Sequence, residues 1–369
     1  MSTNPQILLD QVAQAFEQQD YRAATQILKQ LWQAHPENPW VQLYRARLYE
    51  VGGNLEAATQ VYRQLLQNIT IPKLITQARQ GLQRVEDLEK AQRQIAIAQV
   101  TAAPDQAEPG ILVLEAIELE QRQEAAKTLS RIIGIDVYTA RVHIPNRGWR
   151  IYRMGPIGEM AFYGKQLQEN GLPAFWVPVS SLEKLQIFQV TYIQDYEPQA
   201  VVICQNSEGQ IGNLAFHWSE VSQLVEGHLP IFEQVLETDI LRKGSERQRK
   251  SETQDFVLVC DLHLPRRNCV LRFCDRTYDF HQGIDFTPNH SDVQTTLRIH
   301  WNTLLSFLKQ QLSDKPIYHD FSPFAETAIE FPHLLKQLDP KFYLMGQDDS
   351  PWNPAFHIYS SLAFFRNRG

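Results

Sequence analysis

The chain has 369 residues, of which 43% are hydrophobic and 21% charged, an ordinary globular balance that predicts two or three domains. A formal net charge of −7 and a pI near 5.9 argue against a sequence-independent nucleic-acid binder, which needs a concentrated basic face. The first residues lack a signal peptide's basic and apolar regions, and no apolar run approaches the length of a membrane span, so we expect a soluble, cytoplasmic protein.

Residues 4–36 and 38–70 repeat one pattern. Asn-Pro occurs at 4–5 and at 38–39, and Ala24 recurs as Ala58, 34 positions later. Asparagine followed by proline is typical of a helix start, because the side chain caps free N–H groups and proline suits the first helical position. Each unit has two apolar stripes at helical spacing, so we predict two helical hairpins with the small Ala24 and Ala58 at the close helix crossings.

With this period of 34 residues, residues 5 to about 90 resemble a tetratricopeptide domain of two repeats and a capping helix, Pro72 to Glu89. Repeat two departs from the family pattern at Arg45-Ala46, where a large residue followed by leucine and glycine is expected. The resemblance implies a groove, lined by the first helix of each repeat, that binds a protein or peptide. It places five partner-binding candidates there: Phe16, Trp40, Leu43, Arg47 and Glu50. For Phe16 and Leu43, packing between repeats is an equal alternative.

Residues 99–110 gather proline, alanine and acidic residues and are expected to be a linker. Alternating strand and helix patterns over 111–185 then predict a small α+β domain, with a ferredoxin-like arrangement as one candidate.

Residues 186–369 are β-rich, and we expect an α+β region of two related halves, split by a charged loop at 240–254. In the first half, Ser219 is predicted to cap a short helix ending near Gly227. In the second, Ser291 to Gln294 is predicted to open an amphipathic helix. The aromatic tail, Phe356 to Phe365, is expected to pack as core. The fold class is therefore multidomain, with all-α helical hairpins followed by α+β domains.

Cys260, His263, Cys269 and Cys274 invite a zinc interpretation. On strands, however, residues three or five apart point to opposite faces, so we expect structural thiols and no metal or other cofactor. The sequence contains no phosphate-binding glycine loop and no recognisable catalytic motif. His217 sits beside Trp218, and His263 beside Asp261. Successive side chains of a strand point apart, so we expect neither pair to be catalytic and both histidines to be structural.

We therefore expect a soluble adaptor or assembly factor that holds a partner polypeptide in the helical-repeat groove. The acidic, glutamine-heavy composition also resembles that of cyanobacterial or plastid tetratricopeptide proteins that help to build photosynthetic complexes, which gives one alternative. The second alternative is an enzyme with its active site in the C-terminal α+β region. In that case we expect a cleft lined by ionisable groups with perturbed pKa values.

Overall fold

The computed structural model describes residues 5–237, 248–286, 296–344 and 350–366. The chain forms two compact units, Met1–Gln99 and Val100–Gly369. Asn4, residues 240–247 of the charged loop and the cap at Ser291 lie outside the described residues. Within the described ranges, no helix combines the length and the apolar character needed to cross a membrane.

The first unit is built of helical hairpins, as predicted. Its helices are α1 (Pro5–Glu17), α2 (Tyr21–Ala34), α3 (Pro39–Val51), α4 (Leu55–Asn68) and α5 (Pro72–Val100). Side chains cap the second helix of each hairpin: Asp20 accepts from the Ala23 N–H at 3.0 Å and Asn54 from the Ala57 N–H at 3.1 Å. Ala24 and Ala58 are completely buried. The two hairpins therefore close on small residues, as the sequence indicates.

Helix α5 is longer than expected, because it continues past Glu89 to Val100. The predicted linker accordingly begins inside the helix. It continues as a single 3-10 turn, Pro104–Gln106, and ends within β1 (Pro109–Glu115).

The second unit begins with a three-stranded antiparallel sheet. Its elements in chain order are β1, α6 (Arg122–Ile133), α7 (Val137–His143), β2 (Trp149–Pro156), α8 (Ile157–Glu169), β3 (Ala174–Pro178) and α9 (Val179–Glu183). The strand order is β2-β1-β3. A ferredoxin-like sheet would need a fourth strand from a β-α-β-β-α-β order, so that candidate is wrong.

The rest of the unit forms one seven-stranded sheet of order β10-β7-β8-β9-β4-β5-β6. Its strands are β4 (Gln186–Asp195), β5 (Ala200–Gln205), β6 (Ile211–Phe216), β7 (Gln223–Glu237), β8 (Gln248–Leu264), β9 (Cys269–Cys274) and β10 (Ile317–Tyr318). The helices are α10 (Leu297–Gln311), α11 (Phe321–Ala328), α12 (Pro332–Gln337) and α13 (Trp352–Arg366).

The expected division into two halves does not match this sheet. Strands β7 and β8 pair with each other from Gln223 and His263 to Glu237 and Gln248, so they belong to one sheet and do not separate two halves. Residues 248–254 of the predicted charged loop are the first residues of β8 and not a loop. The helix expected after Ser219 is a single 3-10 turn, Trp218–Glu220, followed by β7. Gly227 lies within that strand, paired with Val259, and a Cβ at this position would lie 2.5 Å from the Phe356 ring of α13. The conformation of this segment is therefore determined by its tertiary contacts and not by its local sequence.

The large sheet has a hydrophobic cluster on each face. One cluster contains α13 together with core residues of the small sheet, among them Ile111, Ile151 and Val177. The opposite cluster contains Trp301, Leu304 and Leu308 of α10. Because the small sheet and α13 share one core, residues 111–185 do not pack as a separate domain. The aromatic tail is a buried helix, which confirms its interpretation as core.

Candidate functional site

Helix α3 presents the central part of the predicted binding surface. Asn38 accepts a hydrogen bond from the Trp40 N–H at 2.9 Å, and Pro39 occupies the first turn, so the start of the helix is fixed. Trp40, Leu43, Arg47 and Glu50 follow at spacings of three or four residues, which places them along one side of the helix. We call this side the α3 face.

Phe16 and Leu43 contribute packing and little surface. Phe16 is 7% exposed and lies in the cluster formed by α1, α2 and α3. Leu43 is 1% exposed and lies in the cluster formed by α3, α4 and α5. The packing alternative therefore describes both residues, and neither side chain offers a partner more than a small area.

Trp40 is half-buried and packs against both of these clusters. The Lys73 ammonium, at the start of α5, lies 5.7 Å from the centre of its ring. The exposed part of the indole is therefore an apolar surface with a cation beside it. Because the same ring joins the two clusters, replacing it would disturb the fold as well as any binding.

Arg47 is the cation at the centre of the α3 face. Its guanidinium carbon lies 4.6 Å from the centre of the Phe16 ring and 5.9 Å from that of Tyr44. Among the described residues, no carboxylate forms an ion pair with it. Aromatic rings attract a guanidinium through their negative faces without using its N–H donors. The two rings thus hold the Arg47 side chain in place, and its N–H groups remain available to bind an acceptor.

Glu50 has a different environment. Its carboxylate accepts from the Tyr62 hydroxyl at 2.8 Å and from the Arg84 guanidinium at 2.7 Å and 3.0 Å. Burial first, and this hydrogen bond second, raise the pKa of Tyr62. The oxygens of Glu50 therefore tie α3 to α4 and α5, and this candidate is a structural contact of the repeat unit.

Arg45 occupies the opposite side of α3 and provides a useful contrast. Its guanidinium lies over the Trp32 ring at 4.1 Å and donates to the Tyr49 hydroxyl at 3.0 Å and 2.8 Å. In the sequence, Arg45 stood out only as a departure from the family pattern. The aromatic residue four positions later was the available signal, because residues at that spacing are neighbours on a helix.

The second unit contains a buried polar cluster at the contact between the sheet and α13. Asp261 of β8 forms an ion pair with Arg272 of β9 at 2.7 Å and 2.9 Å, and Ser360 of α13 donates to Asp261 at 2.5 Å. The Ser360 hydroxyl also lies 3.0 Å from Nε2 of His263. Gln223 occupies the other ring nitrogen, Nδ1, at 2.7 Å. Every one of these polar groups thus has a partner.

The side-chain directions of Asp261 and His263 differ from the prediction. Asp261 and His263 are two residues apart and therefore share a strand face, so the expected divergence was wrong. His263 is fully buried, and burial lowers its pKa to about 4. His217, in contrast, is exposed and lies immediately before the 3-10 turn at Trp218.

This cluster resembles a serine–histidine–aspartate arrangement only in part. The carboxylate of Asp261 contacts the serine and the arginine, whereas in a catalytic triad it orients the histidine through Nδ1. Asp261, His263, Arg272 and Ser360 are each at most 1% exposed. A substrate has no route to Ser360 in this arrangement, so its chemistry is that of a buried structural network.

The cysteines follow the predicted strand parity. Cys260 and Cys269 lie in the cluster on the α10 face, and Cys274 lies in the cluster on the α13 face, where His263 also points. Cys204, Cys260, Cys269 and Cys274 are buried and unpaired. Within the described ranges, no group of three or more His, Cys, Asp or Glu side chains is placed to hold a metal ion.

Comparison with known proteins identifies the N-terminal helices. Residues 15–69 match the family model of the tetratricopeptide repeat, a segment from the end of α1 to the end of α4. The N-terminal part is thus a tetratricopeptide-repeat region, a type of module that mediates protein interactions. No curated protein and no solved structure matches the chain.

Proposed function

We propose that the tetratricopeptide repeats hold a partner polypeptide against the α3 face, and that the protein acts as an adaptor or assembly factor. Of the five predicted contact residues, Trp40 and Arg47 are retained in this proposal. Phe16 and Leu43 pack in the core beneath the α3 face, and Glu50 keeps α5 in place beside α3. Tryptophan and arginine are the residue types that most often dominate binding energy at interfaces.

The observation that carries the proposal is the environment of Arg47. Arg84 is paired with a carboxylate, that of Glu50, at 2.7 Å. Arg47 instead rests on the Phe16 ring at 4.6 Å. Its side chain is already ordered, so binding a carboxylate or a backbone carbonyl of a partner costs little further conformational entropy.

A pull-down from the source organism tests the proposal and identifies the partner by mass spectrometry. The full-length parent is compared with Arg47→Ala and with Arg45→Ala, because Arg45 is also stacked on an aromatic ring but lies on the opposite side of α3. We expect one protein to be retained by the parent and by Arg45→Ala and depleted by Arg47→Ala. Retention of the same proteins by all three would contradict a binding site on the α3 face.

The same experiment addresses the narrower prediction of a photosynthetic assembly role. That prediction rests on composition alone, and the identity of the retained protein decides it directly.

A further inference from the structure

Two cations on the α3 face form no ion pair among the described residues. Arg47 rests on the Phe16 ring, with its guanidinium carbon 4.6 Å from the ring centre. Lys73, at the start of α5, is exposed, and its ammonium lies 5.7 Å from the centre of the Trp40 ring. Aromatic rings hold a cation in place but do not neutralise its charge. Both cations therefore remain available to a carboxylate from outside.

The carboxylate of the α3 face, that of Glu50, does not compensate these charges. Arg84 binds it at 2.7 Å and 3.0 Å, and the Tyr62 hydroxyl donates to it at 2.8 Å. Glu50 and Arg84 thus neutralise each other, and Arg47 and Lys73 leave this surface positive. The local charge is therefore opposite in sign to the formal net charge of −7 of the whole chain.

Two carboxylates of α1 limit how acidic a partner can be. Burial raises the pKa of Tyr44; the charge of Arg47 opposes this effect, and the charges of Glu17 and Asp10 add to it. Both carboxylates therefore lie near Tyr44, where they repel a uniformly acidic segment. A partner with a few, separated carboxylates avoids this repulsion.

Helix α3 sets the distance between the two cations. Lys73 lies beside the ring of Trp40, and Arg47 follows Trp40 by seven positions on the helix. At about 1.5 Å of rise per residue, the two positions are about 10 Å apart along the helix axis. The half-buried rings of Trp40 and Tyr44 lie along this stretch. The surface thus has a cation at each end and aromatic rings between them.

We propose that the partner segment presents two carboxylates about 10 Å apart on one side, one to Arg47 and one to Lys73, with an apolar side chain between them. This inference rests on the proposed function, because it assigns the chemistry of the segment that the α3 face holds. The apolar side chain packs against the rings of Trp40 and Tyr44. Arginine binds a carboxylate through parallel N–H groups, whereas lysine acts as a point charge, so Arg47 contributes the more directional contact.

This distance translates into a sequence spacing. Side chains that share one side and lie about 10 Å apart are about seven residues apart in a helix and about three residues apart in a polyproline-type extended segment. The two acidic residues therefore stand at one of these two spacings, according to the conformation of the bound segment.

Selection from a library of displayed random peptides, each long enough for three helical turns, tests the inference with the full-length protein. The sequences retained by the parent are compared with those retained by Arg47→Ala. We expect the Arg47-dependent sequences to share two acidic residues at one of the two spacings, with an apolar residue between them. Arg47-dependent sequences without paired acidic residues would overturn this inference alone. If every retained sequence also binds Arg47→Ala, or if none is retained, the inference is overturned and the proposed function loses its support.

The affinity of one selected peptide in solution tests the role of each cation. Lys73 is exposed, so Lys73→Ala keeps the fold, and we expect its Kd to rise about threefold. Replacing one acidic residue of the peptide by glutamine should remove the effect of Lys73→Ala, and replacing the other should remove that of Arg47→Ala. Arg79→Ala, at another exposed position of α5, is the control and should leave Kd unchanged. A peptide that depends on Arg47 and binds Lys73→Ala as tightly as the parent would contradict the paired carboxylates and leave the proposed function intact.

Discussion

Glu50 and Arg84 are 34 residues apart and form an ion pair with an N–O distance of 2.7 Å. The separation equals the repeat period, so α5 occupies the position that the first helix of a third repeat would take beside α3. The buried Tyr62 hydroxyl joins the same carboxylate from α4. One carboxylate thus connects three successive helices, and this explains how two repeats keep their last helix in place.

Removing this carboxylate should loosen α4. In Glu50→Ala the buried Tyr62 hydroxyl loses its acceptor, which costs about 1–3 kcal/mol. In Arg84→Ala, the guanidinium lost is 47% exposed and the remaining carboxylate still accepts from Tyr62, so we expect about 1 kcal/mol or less. Hydrogen exchange of peptides from α4, measured in the full-length chain, reports the local free energy of opening. Equal effects of the two variants would contradict the assigned role of Tyr62.

Gly81 should not tolerate even a methyl group. A Cβ at this position would lie 2.3 Å from the Tyr62 ring, so Gly81→Ala must push α5 away from α4. Overpacking typically costs about 1–3 kcal/mol, and a contact this short places the cost toward the upper end of that range, above the gain of about 1 kcal/mol from alanine's higher helix propensity. The adjacent exposed Gln80 provides the control, because Gln80→Ala should leave stability nearly unchanged. A more stable Gly81→Ala variant would mean that the two helices do not approach this closely.

The buried His263 predicts a pH dependence for the second unit. Its pKa falls from 6.5 to about 4 in the folded state because burial penalises the charged form. Between these values the unfolded chain binds a proton that the folded chain does not. The contribution to stability is therefore complete above about pH 6.5 and is lost as the pH falls to about 4, a change of roughly 3 kcal/mol for such a shift.

Chemical denaturation of the parent and of His263→Gln at pH 7, 5.5 and 4 measures this contribution. His357 is also buried and its pKa is also lowered, so the His263→Gln variant keeps part of the parent's pH dependence. We expect the slope of stability against pH to be smaller in His263→Gln. Parallel slopes in the two proteins would show that His263 is not held neutral.

The thiols should be inert and free of zinc. Burial raises the pKa of Cys269 and that of Cys274 to about 11, so little reactive thiolate is present near neutral pH. A thiol reagent should label the native protein slowly and the denatured protein at all four cysteines. Elemental analysis of protein purified without chelator should find no stoichiometric zinc. One zinc per chain, lost in Cys269→Ser, would contradict the placement of these side chains on opposite sheet faces.

The sequence was most informative where short-range signals decide the structure. The repeat spacing, the cap at Asn38 and the buried Ala24 and Ala58 could all be predicted, because each depends on residues close in the chain. Strand parity similarly predicted that Cys269 and Cys274 face different clusters.

Contacts between distant residues were beyond this reasoning. Strand β7 was missed because Gly227 was interpreted as a helix end. The glycine instead makes room for Phe356, which lies 129 residues further along the chain, and hydrophobic clusters cover both faces of the sheet. For the same reason, neither the pairing of Glu50 with Arg84 nor the joining of His263 and Ser360 could be predicted. On the α3 face, residue type singled out Trp40 and Arg47 as contact candidates, and packing separates them from the buried Phe16 and Leu43.

The affinity of the purified partner for the Arg47 variant tests the central claim most directly. Titration calorimetry with the full-length protein compares the parent, Arg47→Ala and Arg45→Ala. A hot-spot contact of about 2 kcal/mol corresponds to a roughly thirtyfold rise in Kd. We predict that rise for Arg47→Ala and a Kd within about twofold of the parent for Arg45→Ala, where the loss is far from the α3 face. An unchanged Kd for a folded Arg47→Ala variant would contradict binding at this surface.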